Sequence, residues 1–298
     1  MRPAFILWTV IITASLICGC NRATTLEDLL APGARPECVA GGFAFTEGPS
    51  SDAAGNVYFT DQPSDRILEY SAEGELTTFL QPAGRSNGTF FDREENLWTC
   101  ADEKTSLWRI GPGKKITVMV SQYEGRPLNG PNDLWISPSG IIYLTDPFYK
   151  RDWWPYDSMP QEVQAVYRFD PGTGVLERVA EDLVQPNGIV GTPDGKMLYV
   201  ADIGAGKTWR FVIGKDGRPG NRTLFCEMGS DGMTIDQKGN VYLTGKGVTV
   251  FDPEGRKIGH IDIPEAWTAN VCFGGKDHHD LFITASHGLY RIRMKTGG

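Results

Sequence analysis

Four polar residues of this chain sit in tight settings bounded by Gly or Pro: Glu47-Gly48-Pro49, Pro131-Asn132-Asp133, Pro186-Asn187-Gly188 and Ser230-Asp231-Gly232. Gly and Pro fix the local backbone, so each side chain projects in one direction. Two carboxylates and two carboxamides offer oxygen ligands for one hard divalent cation, with calcium first and magnesium or manganese next. Zinc is possible but a poorer match, because the set holds no His or Cys. Two negative charges bring a dication close to neutrality, and four protein oxygens leave coordination positions for water and substrate. The chemistry on offer is metal-assisted hydrolysis.

Taken singly, Asn-Gly, Asp-Gly and Pro-Asn are common turn pairs. What lifts these four above that reading is their recurrence. Glu47, Asn87, Asn132, Asn187, Asp231 and Asn270 each open a short stretch followed by an apolar run, at intervals of 40, 45, 55, 44 and 39 residues. Eight residues after most of these starts comes a turn residue: Gly55, Gly140, Gly195, Gly239 and, less clearly, Glu95. Strand-favouring segments such as Val57-Tyr58-Phe59 and Ile141-Ile142-Tyr143-Leu144 follow, and many end in an acidic residue, as at Asp61, Asp102, Asp146 and Asp202.

Repeats of this length with four strands each predict an all-β fold, a six-bladed β-propeller with four-stranded blades. The last repeat runs out after three strands, and Glu37-Cys38-Val39-Ala40 reads as its missing fourth, so the N-terminal strand is expected to close the ring. A sandwich shares the turn frequency but does not explain six matched polar starts. In a propeller the innermost strands line a central channel, so the six starts converge on one axis.

The composition fits one β-domain over residues 36–298, with 36 Gly and 19 Pro for its turns. A net charge of −8 argues against a nucleic-acid or anionic-membrane surface and is compatible with a cation site. Residues 1–19 read as a signal peptide: Arg2, an apolar stretch from Ala4 to Ile17, then Ile17-Cys18-Gly19-Cys20. That pattern resembles a bacterial lipobox, which implies lipidation of Cys20, a tether over 20–35, and a protein exported and lipid-anchored in the cell envelope, periplasmic or at the outer surface. An ordinary secretory signal is the alternative, and a lipid on Cys20 would be the sole membrane contact. Cys38, Cys100, Cys226 and Cys272 fall on different blades or non-adjacent strands and are expected as buried free thiols.

Glu47-Gly48-Pro49, Pro131-Asn132-Asp133, Pro186-Asn187-Gly188 and Asp231-Gly232-Met233, one per blade, resemble the senescence marker protein, gluconolactonase and luciferin-regenerating enzyme family of six-bladed propellers. The resemblance runs from about Pro36 to Lys295. It implies metal ligands at Glu47, Asn187 and Asp231, with Asn132 a fourth ligand or a substrate-binding amide, and it implies hydrolysis of a small-molecule lactone. One departure is Gly130, where animal members carry an Arg, so the resemblance does not extend to a preference for sugar-acid lactones.

Lactone opening needs an acceptor for the proton of the attacking water. Asp231 is the first choice and His287 the alternative, since His287 follows the second strand of the last blade in the loop equivalent to Thr60-Asp61 and Thr145-Asp146. Asn132, His287, Asp146, Trp153 and Trp154 are the expected substrate-binding residues. The last two lie in Pro147-Phe148-Tyr149-Lys150-Arg151-Asp152-Trp153-Trp154-Pro155-Tyr156, extra length placed at the channel mouth, where aromatics can stack on a ring and cations can hold a carboxylate. Asn87 and Asn270 are expected to line or support the pocket, and His278 and His279 to lie on the surface. Two other functions share this architecture: a phosphotriesterase-like hydrolase on the same metal, and a non-catalytic ligand-binding propeller. The sequence says nothing of the oligomeric state.

Overall fold

β-Branched and aromatic runs separated by turns become strands throughout the chain. The computed structural model describes residues 23–298, which form six antiparallel blades around a channel. Blade 1 runs from Thr46–Ser51 to Leu76–Leu80, blade 2 from Ser86–Phe91 to Lys115–Val120, and blade 3 from Leu134–Ile136 to Val175–Ala180. Blade 4 runs from Pro186–Gly191 to Pro219–Cys226 and blade 5 from Met233–Ile235 to Lys257–Ile261. Blade 6 contributes Thr268–Gly274, Asp280–Ala285 and Gly288–Arg293, and its outer strand is Glu37–Gly41, paired antiparallel with Gly288–Arg293. The ring is thus closed by the N-terminal strand.

The turn between the first and second strands needs a left-handed residue. Gly55, Gly140, Gly195 and Gly239 supply it with φ between 71° and 84°, while Glu95 (φ 59°) and His278 (φ 55°) hold the position without glycine. An aspartate anchors three of these turns: Asp52, Asp92 and Asp236 accept from the backbone N–H of Asn56, Asn96 and Asn240 at 2.8–2.9 Å.

The innermost strands are interrupted where the polar starts occur. Register shifts fall between Glu47 and Ser50, Ser86 and Thr89, Pro186 and Ile189, and Thr268 and Asn270. A bulge leaves one residue out of the ladder and re-aims its side chain, here toward the channel. In blades 3 and 5 the same result comes from starting the strand late, after Asn132-Asp133 and Asp231-Gly232. Glycines after the starts let neighbouring blades touch: a Cβ on Gly48 would meet Asn87 O, one on Gly88 Asn132 O, one on Gly188 Asp231 O, and one on Gly232 the Asn270 carboxamide.

The core lies between blade faces, as five apolar clusters. One of them reaches beyond the propeller to Leu29, which is 1% exposed. Here the expected tether over 20–35 is corrected in part. Leu26–Leu29 is a helical turn, Leu30 bridges Met294, and Lys295 N–H donates to Leu29 O at 2.8 Å. Leu26, Leu29, Leu30 and Ala34 are apolar residues with a hydrophobic face to cover, so this stretch packs on the last blades. The signal peptide over 1–19 and Cys20 lie outside the described residues. All four remaining cysteines are free, and Cys38 is exposed rather than buried, because it lies on the ring's closing outer strand.

Candidate active site

The starts of the innermost strands meet at one end of the channel. Glu47, Asn87, Asn132 and Asp231 line a cavity of about 540 Å³ there, and Asn187, 1% exposed, stands against Asp231 at its wall. The sixth start, Asn270, stands between the carboxylates of Glu47 and Asp133 and, with Asp133, also lines a second cavity of about 410 Å³ walled by groups such as Phe90, Trp135 and Val271.

Asn187 ties the site together. Its Nδ2 donates to Asp231 Oδ1 at 2.7 Å and to the Tyr149 hydroxyl at 2.8 Å. Its Oδ1 is buried and accepts no hydrogen bond. Asp231 Oδ2 accepts from Trp267 Nε1 at 2.6 Å, and Glu47 Oε2 accepts from Gly48 N–H at 2.7 Å.

Burial dominates the electrostatics. It holds the Glu47 carboxyl well above the usual carboxylate range, reinforced by the charge of Asp231. Asp231 is raised by burial too, against the opposing hydrogen bonds from Trp267 and Asn187. Asp133 is pushed up to about 7 by burial, although Leu134 N–H and the Asn270 amide both favour its charged form. Buried like charges with raised proton affinity, next to an amide oxygen with no partner, are what a dication would relieve. Among the described residues no three His, Cys, Asp or Glu side chains form a metal-ligand group. The cation would be held by Glu47 and Asp231 together with the Asn187 and Asn132 amide oxygens.

Other expected residues divide. Trp153 lines the cavity, with Arg85 over its ring at 4.5 Å. Trp154 does not: it is buried, stacks between Phe148 and Tyr156, and donates from Nε1 to Asp102 O at 2.8 Å, so it anchors the loop instead of meeting substrate. Asp146 is fully buried and accepts from Asn129 and Gly130 N–H at 2.9 and 2.8 Å, fixing the backbone that leads to Asn132. Asp61 and Asp202 hold two consecutive N–H groups in the same way, so the acid at the end of the second strand is a structural clip. His287 is exposed and outside the cavity. Its Nδ1 bonds Phe43 O at 3.0 Å, since the segment joining the closing strand to blade 1 crosses this corner and occupies it. It is not placed to act as the base.

Three contributors were not singled out from the sequence. Asp133 stands where blades 1, 2, 4 and 5 have the glycine after the start, a substitution visible in the repeat once aligned. Tyr149 belongs to the long loop but carries no motif. Trp267 lies in the connection before Asn270, and its bond to Asp231 spans two blades.

The fold is shared with known proteins. Residues 45–287 match the family model described as the SMP-30/Gluconolactonase/LRE-like region. A gluconolactonase of Zymomonas mobilis is 30% identical over 293 residues, covering 88% of this chain and 82% of its own. The solved structure of a Xanthomonas campestris gluconolactonase superposes with a TM-score of 0.83 at 28% identity, over 90% of this chain and 92% of that one. A regucalcin from Agrobacterium tumefaciens, described as a calcium-binding protein, shares the fold with a TM-score of 0.74 at 20% identity, over 88% and 94%. The chain belongs to the SMP-30/gluconolactonase/LRE-like family.

Proposed function

We propose that this protein is a divalent-metal-dependent lactonase whose cation, calcium first, is held by Glu47, Asn187 and Asp231 with Asn132. The observation that carries the reading is the Asn187 carboxamide: both of its donor bonds are made, and its oxygen is left buried and unpaired beside two carboxylates that burial disfavours as anions. Its gluconolactonase relatives support lactone hydrolysis as the reaction. Export and anchoring through Cys20 stay part of the proposal on the strength of the sequence alone.

When bound, the cation supplies Lewis-acid polarisation of the ester carbonyl and compensates the charge that develops on its oxygen. The chain's own groups do the rest. Asp231, one of two cavity carboxylates whose proton affinity burial raises, accepts the proton of the attacking water. Trp267 and Asn187 hold its two oxygens in place, one bond each. Tyr149 and Trp153 wall the cavity, with their rings stacked against Arg151 and Arg85.

The test is proton release from a panel of lactones, on protein stripped with chelator and on the same protein reloaded with calcium, magnesium or manganese, beside a phosphotriester. Lactone opening that disappears with chelator and returns with the cation is the expected result. Turnover indifferent to chelator removes the metal from the mechanism, and a phosphotriester opened in preference removes the lactone.

A further inference from the structure

Resting on the lactonase reading, we propose that Arg151 is a specificity-determining residue at the cavity mouth, reading an anionic substituent of the substrate: a carboxylate, sulfonate or phosphate carried on the lactone ring. Arg151 lines the cavity on the long loop and presents its Nε to the buried carboxylate of Asp102 at 3.3 Å. The rings of Tyr149 and Trp153 flank the guanidinium at 5.5 Å each, and Arg85 covers Trp153 from 4.5 Å. Stacking and the Asp102 contact fix where the guanidinium plane lies.

The terminal nitrogens are the informative atoms. Arg66 meets Asp61 through both Nε and Nη2, at 3.1 and 2.8 Å, and Arg222 meets Asp182 through both Nη atoms, at 2.6 and 2.7 Å. Arg151 approaches Asp102 through Nε alone, as an ion pair without hydrogen-bond geometry, and among the described residues neither Nη1 nor Nη2 has a hydrogen-bond or ion-pair partner. A purely structural arginine gains most from the two-pronged pairing seen elsewhere in this chain. An arginine gripped from behind, with its outer edge open to a cavity, is arranged to receive an oxyanion.

The loop reaches this depth because of Gly130. A Cβ there would lie 2.5 Å from the Trp154 ring, so the absent side chain makes the space in which Trp154 seats and carries Arg151 inward. Lys150 is taken up by the exposed Asp157 and lies beside Asp152, so the cationic group left to meet a ligand is the outer edge of Arg151.

The test compares kcat/KM for a neutral sugar lactone with that for the same lactone bearing a carboxylate, and one bearing a sulfonate, in wild type, Arg151→Lys, Arg151→Gln and Arg151→Gln/Asp102→Asn. The double variant removes both charges and so leaves no orphaned buried carboxylate. The anionic-to-neutral ratio should fall about tenfold to a hundredfold in both Gln variants, mostly through KM, with Lys between. Calorimetric binding of a ring-opened hydroxydicarboxylate should weaken in parallel, and this arm needs no turnover. An unchanged ratio, or a dicarboxylate that binds the double variant as well as wild type or binds neither, overturns the proposal. Neutral lactone opened while Arg151 makes no difference removes only the subsite. Binding that depends on Arg151, with no lactone of any kind opened, removes only the lactonase reading.

Discussion

The Asn187 carboxamide is locked by Asp231: Nδ2 donates to Asp231 Oδ1 at 2.7 Å, and the reverse orientation would set oxygen against oxygen. Tyr149 adds a second acceptor on the same nitrogen. In the proposed ligand set the buried Oδ1 is the atom offered to the cation, and Asn187→Ala, which deletes it, should weaken calcium or manganese binding by more than the about tenfold to hundredfold that losing an outer partner of a ligand costs. Tyr149→Phe, which loosens the amide without deleting its oxygen, should cost less. Calorimetric titration measures both, and an Asn187→Ala protein that binds the cation as tightly as wild type removes Asn187 from the ligand set.

The raised proton affinities predict a direction with pH. Burial lifts Glu47 and Asp231, and Asp133 reaches about 7, so the cation-free native state keeps protons that the unfolded chain has released. Between about pH 4 and pH 7 its stability should therefore fall as pH rises. A dication needs the carboxylates ionised, so its affinity rises over the same window and binding expels protons. The gain in thermal midpoint on adding calcium should grow from about pH 5 to about pH 7.5. A gain that shrinks with rising pH contradicts this account of the site.

Trp267 offers a finer test of Asp231. Its Nε1 donates to Oδ2 at 2.6 Å and favours the ionised carboxylate, pulling against burial. Trp267→Phe keeps most of the ring and deletes the donor, so the Asp231 pKa should rise. The acidic limb of the pH profile of kcat/KM should move up by about one unit, the worth of one hydrogen bond to a charged group. If the limb stays where it is, some other group takes the proton.

The ring was legible because it is written locally: a polar residue, a Gly or Pro beside it, and a turn eight positions on. The same local reading misplaced His287 and Asp146. Register put both at the mouth, but Asp146 is consumed by the N–H groups of Asn129 and Gly130, and His287 by the carbonyl of Phe43, contacts made only when the segments before the inner strands fold back. Trp153 and Trp154 are adjacent in sequence and opposite in role, because Gly130 opens room for one of them. Trp267 could not be read at all. Its partner Asp231 is brought near by the closure of blade 5 on blade 6, where Gly245 pairs with Thr268.

The glycines after the polar starts leave no room for a Cβ, because the next blade fills that space. A Cβ on Gly232 would stand 1.9 Å from Asn270 Cγ, and that carboxamide is the group that donates to Asp133. Gly232→Ala should destabilise the protein by about 1–3 kcal/mol by overpacking. Gly220, with nothing within 4 Å of a built Cβ and no positive φ, is the control, and its Ala variant should stay within about 0.5 kcal/mol of wild type. Removing the obstructing group in Gly232→Ala/Asn270→Ala should recover part of the loss, less the cost of leaving Asp133 without its amide donor. Urea unfolding of wild type, Gly232→Ala, Asn270→Ala, the double variant and the Gly220→Ala control decides it. If the double variant is destabilised by the full sum of its two changes, the clash is not with Asn270 and the ring is not packed start against start.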